Sequence, residues 1–295
     1  MRWIAGATAR VPVTQRTGRV PLLPILHSPV RVGRRAWLLG AVLVSIAGPA
    51  TAAERMPLPP LGRMEQGAYR ARDIRTGADL WRVEWTLEQE MQDGRPVLHL
   101  QELGKGTRES VAPLSWTVRM TIDLWGQNQH MSSRREARDE AGRPLQVEQR
   151  DFDYKRSVGH IVTTDLRTGE TEAKDVRLTA QSLTPEILPA ALRLLPATTD
   201  RQMRFDLVTR GGFVLGIEAK LLGRERVEVP AGSFDCFKIE LDPTGFWGIL
   251  ANILMPRLFM WQTVAAPHFW VKYQGPEGGP GSREIVRELT RFESQ

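Results

Sequence analysis

The chain has 295 residues, and its 40 lysines and arginines outnumber its 34 aspartates and glutamates, which gives a formal net charge of +6. Seven of the arginines and none of the acidic residues fall within residues 1–52, so residues 53–295 carry 33 positive and 34 negative side chains. The chain after residue 52 therefore has no net positive field, and we expect no nucleic acid among its partners. Its single cysteine, Cys236, excludes an intramolecular disulfide.

Residues 1–52 have the three parts of an export leader. A charged region with Arg31, Arg34 and Arg35 precedes an apolar core over residues 37–47, and Ala-Thr-Ala at residues 50–52 provides the small side chains of a cleavage site. We expect cleavage after Ala52, with Ala53 as the alternative, and a periplasmic protein. The apolar core is shorter than the about 20 residues that an uncleaved membrane anchor needs.

Two features of the leader stay open at the level of sequence. The adjacent arginines resemble a twin-arginine signal but also occur in ordinary secretory leaders, so either route is compatible with the sequence. The first thirty residues either make the leader unusually long or precede the true start of translation, near Val30 or Val32.

Residues 53–78 contain a stretch rich in proline and glycine, at residues 54–68, and are predicted to form an N-terminal linker or an edge of the fold. No internal repeat, low-complexity segment or interior linker appears after residue 78. Residues 79–295 are therefore predicted to form a single domain.

Alternation of apolar and polar residues dominates this domain, and a period of two is typical of half-buried β-strands. It is clearest in residues 116–124, where every second residue is apolar. The predicted strands cover residues 80–87, 97–102, 116–124, 145–154, 161–166, 172–178, 203–209, 214–222, 226–229, 234–241, 269–274 and 284–292. Strands joined mostly as neighbouring hairpins predict a mainly β protein, with a curved antiparallel sheet or half-barrel.

Two segments have helical periodicity and are predicted to cover the sheet as one or two short helices. Residues 185–195 place apolar side chains at helical spacing, with Thr184 as the N-cap. Residues 245–261 have an apolar face at i, i+3, i+4 and i+7, and Pro256 is predicted to end or kink this helix. The part from Phe246 to Met260 is interpreted as a lid, a core element or a membrane-contacting helix, but not as a spanning one.

Candidate catalytic residues do not form a pattern. The histidines after the leader lie far apart in sequence, without metal-ligand spacing: His99, His130, His160 and His268. Cys236 lies on a predicted strand with no base near in sequence and is interpreted as structural. We expect no metal site, no cofactor and no catalytic residues.

Tryptophans are the more informative feature. Either they pack the core of the sheet, or they line a concave apolar surface that receives a lipid-like or other hydrophobic ligand. On the second interpretation a large apolar cavity is expected, with residues 246–260 near its mouth. The candidate ligand-binding residues are Trp81, Trp85, Trp116, Phe246, Trp247 and Trp270.

Residues 226–241, RVEVPAGSFDCFKIEL, resemble the V-x-V-P-A-G-x-F hairpin of a bacterial envelope family catalogued as domain of unknown function 3108. Residues 267–273 resemble the closing strands of that family. The resemblance implies a periplasmic, mainly antiparallel β protein with a curved sheet, similar to half-barrels of the lipoprotein-carrier type, and it implies no catalytic residues. Residues 246–260 depart from the usual pattern of the family.

Three functions follow as hypotheses. The leading one is non-catalytic binding of a hydrophobic ligand in the curved sheet. An envelope hydrolase would require titratable groups clustered in one cleft. A structural or assembly module that binds an envelope protein would require a broad exposed apolar patch.

Overall fold

The computed structural model describes residues 61–108, 112, 114–123, 129–245, 257–278 and 281–295. The predicted leader, Phe246 and Trp247 lie outside the described residues. The strands are β1 (Met64–Asp73), β2 (Asp79–Gln92), β3 (Arg95–Gly106), β4 (Leu114–Asp123), β5 (His130–Asp139), β6 (Pro144–Asp153), β7 (Val158–Asp165), β8 (Thr171–Arg177), β9 (Ser182–Leu183), β10 (Gln202–Val208), β11 (Val214–Val229), β12 (Gly232–Pro243), β13 (Leu258–Thr263), β14 (Trp270–Pro276) and β15 (Glu284–Ser294).

The fifteen described strands form one sheet. From one edge, β8 to β1 lie side by side in reverse chain order, β15 follows β1, and β14 to β9 complete the other half. Neighbours are antiparallel except β9 and β10, which are parallel. The large, unclosed, curved sheet confirms the predicted fold class.

The inner face of the sheet carries the apolar residues that alternation predicts. In β4, Trp116, Val118, Met120 and Ile122 are all buried, with at most 3% of their surface exposed. They belong to one core cluster that runs across the sheet. By the same alternation the opposite, outer face of β12 carries Cys236, which packs in a separate small cluster with Val227, Trp261 and Val271.

A short helical segment, residues 185–197, covers part of the sheet, and we call it the cover segment. It contains α1 (Leu188–Ala191) followed by a 3₁₀ helix (Leu192–Ala197). The predicted N-cap Thr184 is wrong: the helix begins after Ile187, and the carbonyl of Thr184 instead accepts hydrogen bonds from the Ile187 and Leu188 amides in a preceding turn.

The second predicted helix does not continue beyond its predicted end or kink at Pro256, because residues 258–261 belong to β13. Met260 pairs with Ile239 of β12 and with Tyr273 of β14. Apolar residues are frequent on both faces of this strand, so its pattern does not separate a helix from a buried strand. Residues 246–256, the larger part of the predicted lid, lie outside the described residues.

β1 lies within residues 53–78, the predicted linker or edge. It pairs along its length with β2 and with β15, so it is an interior strand that joins the two halves of the sheet. Its inward positions are Glu65, Gly67, Tyr69 and Ala71, and only one of these side chains is large and apolar. The period-two signal of β1 is weak for that reason.

The two edges of the sheet approach each other where the chain passes from β8 to β9. Thr179 donates a hydrogen bond to Asp206 of β10 at 2.8 Å, and Lys174 of β8 donates one to the carbonyl of Gly211 at 3.3 Å. The sheet is therefore curved so strongly that its β8 edge lies close to residues at the opposite edge. In the part of the chain that the structure describes, no helix has the length and apolar character needed to cross a bilayer.

Candidate functional site

An aromatic cluster lies on the inner face, formed by Tyr69, Trp81, Trp85, Trp116 and Trp270. Tyr69 is central: its ring centroid lies 4.9 Å from that of Trp270 and 6.2 Å from that of Trp85. Trp81 meets Trp116 edge to face at 6.0 Å. The structure thus brings together four of the six predicted ligand-binding residues, and their role in binding stays a prediction.

Arg287, which the sequence analysis did not single out, connects the two parts of this cluster. Its guanidinium carbon lies 4.3 Å from the ring centroid of Trp270, 4.5 Å from that of Tyr69 and 5.3 Å from that of Trp81. Burial lowers the pKa of Arg287 from its ordinary value, but a guanidinium remains a cation in proteins. The rings therefore surround a positive charge, which cation–π attraction stabilises.

Ion pairs attach the cover segment to the sheet. Arg193 in the 3₁₀ helix donates two hydrogen bonds, each 2.7 Å long, to the two carboxylate oxygens of Glu65 in β1. Arg150 in β6 reaches Glu186 in the cover segment at 3.4 Å. Burial alone would raise the pKa of Glu186, but the charges of Arg150, Arg210 and Arg108 and a backbone hydrogen bond together outweigh it and lower that pKa to about 2.

A cleft separates the cover segment from the aromatic cluster. The sheet contributes Tyr69, Trp85, Glu102, Trp270 and Arg287, and the cover segment contributes Glu186, Pro189 and Arg193. The cleft has a volume of about 50 Å³. Its wall is mainly apolar and aromatic, with a few charged side chains among these residues.

This cleft differs from the large apolar cavity that the sequence analysis predicts at the tryptophans. The interior there is filled by the protein itself, because Leu188, Leu192 and Leu195 of the cover segment are buried in the core cluster of the sheet. At this cleft the described residues leave only a small volume, and a large apolar cavity at the tryptophans stays a prediction.

Among the buried polar atoms of the cleft, Trp85 Nε1, Glu102 Oε2 and Arg287 Nε have no hydrogen-bond partner in the described residues. Arg108 is the closest cation to Glu102, with 3.9 Å between the charged atoms. Most buried polar atoms in proteins are paired, and an exception needs an explanation such as a function. Two donors and one acceptor in one cleft are suited to bind a polar group.

The four candidate histidines do not meet in one site. His99, His130 and His160 lie on different strands, and each contacts a different carboxylate, that of Glu90 at 3.3 Å, Asp151 at 2.8 Å and Asp175 at 2.6 Å respectively. His268 donates from Nδ1 to the carbonyl of Thr263. Among the described residues, no group of three or more histidine, cysteine and carboxylate side chains is placed to hold a metal ion.

Cys236 is fully buried in the outer cluster. Burial, aided by the negative charges of Asp235 and Glu225, raises the pKa of its thiol to about 12. A nucleophilic cysteine needs the thiolate form, so this thiol is unreactive at neutral pH.

The fold and the site define a class: half-barrels of antiparallel β structure whose inner face is covered by a short helical segment. A similar fold occurs in a protein from Brucella abortus that is described as a β-barrel-like protein of the domain of unknown function DUF1849. The two sequences are 8% identical, the match covers 80% of this chain and 99% of that chain, and the TM-score is 0.50. Lower similarity exists to a protein from Bacteroides fragilis that is described as exported, with a YmcC-like fold, at 8% identity, 80% and 99% coverage and a TM-score of 0.32.

The model of the family described as protein of unknown function DUF3108 matches residues 68–261. The chain therefore belongs to this family, as the resemblance of its β11–β12 hairpin region indicates. No curated protein matches the sequence.

Proposed function

We propose that this chain is a non-catalytic binding protein of the cell envelope, and that a lipid-like ligand binds by one end in the cleft between the aromatic cluster and the cover segment. The observation that carries the proposal is the cleft itself, where tryptophan and tyrosine rings surround polar atoms without partners. Ligand sites commonly combine an apolar wall with a few converging polar groups.

The size of the cleft limits what enters it. A volume of about 50 Å³ admits a terminal group, whereas sites for whole ligands have about 300 Å³ or more. A ligand with an acyl chain therefore extends out of the cleft or displaces part of the cover segment. The proposal also includes a contact of residues 246–260 with the ligand or with a membrane.

Localisation in the periplasm is part of the proposal and is supported by the leader-like residues 1–52. N-terminal sequencing of the protein recovered from the periplasm is expected to give Ala53 as the first residue, or Glu54 for the alternative cleavage. Recovery of the uncleaved chain in the cytoplasm would contradict this localisation.

Native mass spectrometry of the protein purified from the periplasm tests the binding role. We expect an adduct with the mass of a lipid-like molecule in the wild type and its loss in Trp270→Leu. Trp261→Leu is the matched control, because Trp261 lies on the neighbouring strand but packs in the outer cluster. An adduct of equal abundance in both variants, or a bound protein in place of a small molecule, would contradict the proposal.

A further inference from the structure

We infer that Arg287 makes the cleft selective for a ligand that ends in a singly charged oxyanion, such as a carboxylate or a phosphodiester. The inference deepens the proposed function and rests on it, because it names the chemistry of the group that enters the cleft. Its basis is an arginine on the inner face whose guanidinium lies against aromatic rings and whose Nε has no hydrogen-bond acceptor among the described residues.

The rings around Arg287 stabilise its charge but leave its donors available. Tyr69 and Trp270, with centroids 4.5 and 4.3 Å from the guanidinium carbon, attract the cation through their π systems. The N–H groups of a guanidinium point outward in its plane and require acceptor atoms. The one described hydrogen bond of the Tyr69 hydroxyl is the one that it donates to the carbonyl of Trp270, at 2.9 Å.

The other cations at the cleft already have carboxylate partners. Arg193 is matched by both oxygens of Glu65, and Arg108 lies 3.9 Å from Glu102. For Arg287 the described residues supply no acceptor at Nε. An oxyanion is the group that a guanidinium pairs with best, because its oxygens match two parallel N–H donors.

Glu102 restricts the charge of that group. Its carboxylate lines the same cleft, and its charge acts on Arg287, whose pKa it raises against the larger lowering by burial. A second negative charge on the ligand would be repelled by this carboxylate. A singly charged end group therefore fits the cleft better than a phosphate monoester dianion.

The test compares dodecanoate with dodecanol, which have the same chain length and differ in the charge of the end group. Binding to the full mature chain is measured by isothermal titration calorimetry at neutral pH. We expect wild type to bind dodecanoate about tenfold or more tightly than dodecanol, as one charge-assisted hydrogen-bonded contact implies. Arg287→Met is expected to remove this preference by weakening dodecanoate binding alone.

Two further variants control for folding and for general charge. Arg287→Lys keeps the cation without the paired donors and is expected to retain part of the preference, which a misfolded variant would not show. Arg70→Met removes an arginine that pairs with Glu288 outside the cleft and is expected to leave both affinities unchanged.

The outcomes separate the inference from the proposed function. Equal binding of the acid and the alcohol by wild type would overturn the inference and leave the lipid-like ligand in place. Binding of neither would overturn both. Binding of inorganic phosphate without dodecanoate would overturn both the lipid-like ligand and the preference for a single charge, because much of this phosphate is a dianion at neutral pH.

Discussion

Replacing Arg193 with methionine removes one partner of the ion pair that attaches the cover segment to the sheet. The side chain of Arg193 is 4% exposed and that of Glu65 is fully buried. In Arg193→Met the carboxylate of Glu65 keeps only the amide of Gly62 as a described hydrogen-bond donor, at 3.0 Å. A buried charge that loses its partner costs about 3–5 kcal/mol, so we expect the free energy of unfolding to fall by about that amount.

Urea unfolding followed by tryptophan fluorescence measures the change, with a double variant to separate the lost pair from the charge left behind. Glu65→Met combined with Arg193→Met is expected to recover most of the lost stability, because apolar residues replace buried ion pairs at little cost. Arg204→Met removes an exposed pair with Glu218 and is expected to cost under about 1 kcal/mol. A cost of that small size for Arg193→Met, or a double variant no more stable than the single, would refute the reasoning.

Two further predictions concern pH and packing. The pKa of Glu186 is lowered to about 2 from its ordinary 4.5. Its charged form therefore stabilises the fold by up to about 3 kcal/mol at pH values above 4.5, and this stabilisation is lost as the pH falls toward 2. Unfolding free energies measured between pH about 6 and about 3 should therefore fall less steeply for Glu186→Gln than for wild type, and equal slopes would contradict this. A Cβ at Gly104 would overlap the indole of Trp116, so Gly104→Ala should cost about 1–3 kcal/mol in urea unfolding. Gly223→Ala, with open space around it, should cost less, and equal costs would show that the Trp116 contact is unimportant.

Alternation predicted the strands whose inward positions are consistently apolar. β4 is the clearest case, since Trp116, Val118, Met120 and Ile122 all point into the core. β5 was missed because only Met131 and Ala137 are both apolar and buried in it. A strand with few apolar inward positions leaves no period-two signal, although its backbone pairs with both neighbours.

The candidate site was predictable in its aromatic half and not in its charged half. Trp81 and Trp85 follow the apolar period of β2, so the sequence places them on one face. Two charged residues also occupy inward positions. Glu102 shares the inward face of β3 with Leu100, and Arg287 lies between the inward residues Ile285 and Leu289 of β15. A charged residue at a position where alternation requires an apolar one was the available signal.

The charges at the cover segment bear on whether it can move. Buried ion pairs are seldom more stable than apolar replacements, so attachment through Glu65 and Arg193, and through Arg150 and Glu186, is not the arrangement that maximises stability. When such a pair separates into water, both charges regain their hydration, which offsets much of the attraction that is lost. Moving an ion-paired part of the cover segment into water therefore costs less free energy than exposing an apolar contact of the same buried area. The arrangement favours a cover that yields at its Glu186 end, whereas Arg193 stays in place with its neighbours Leu192 and Leu195, which are fully buried in the core.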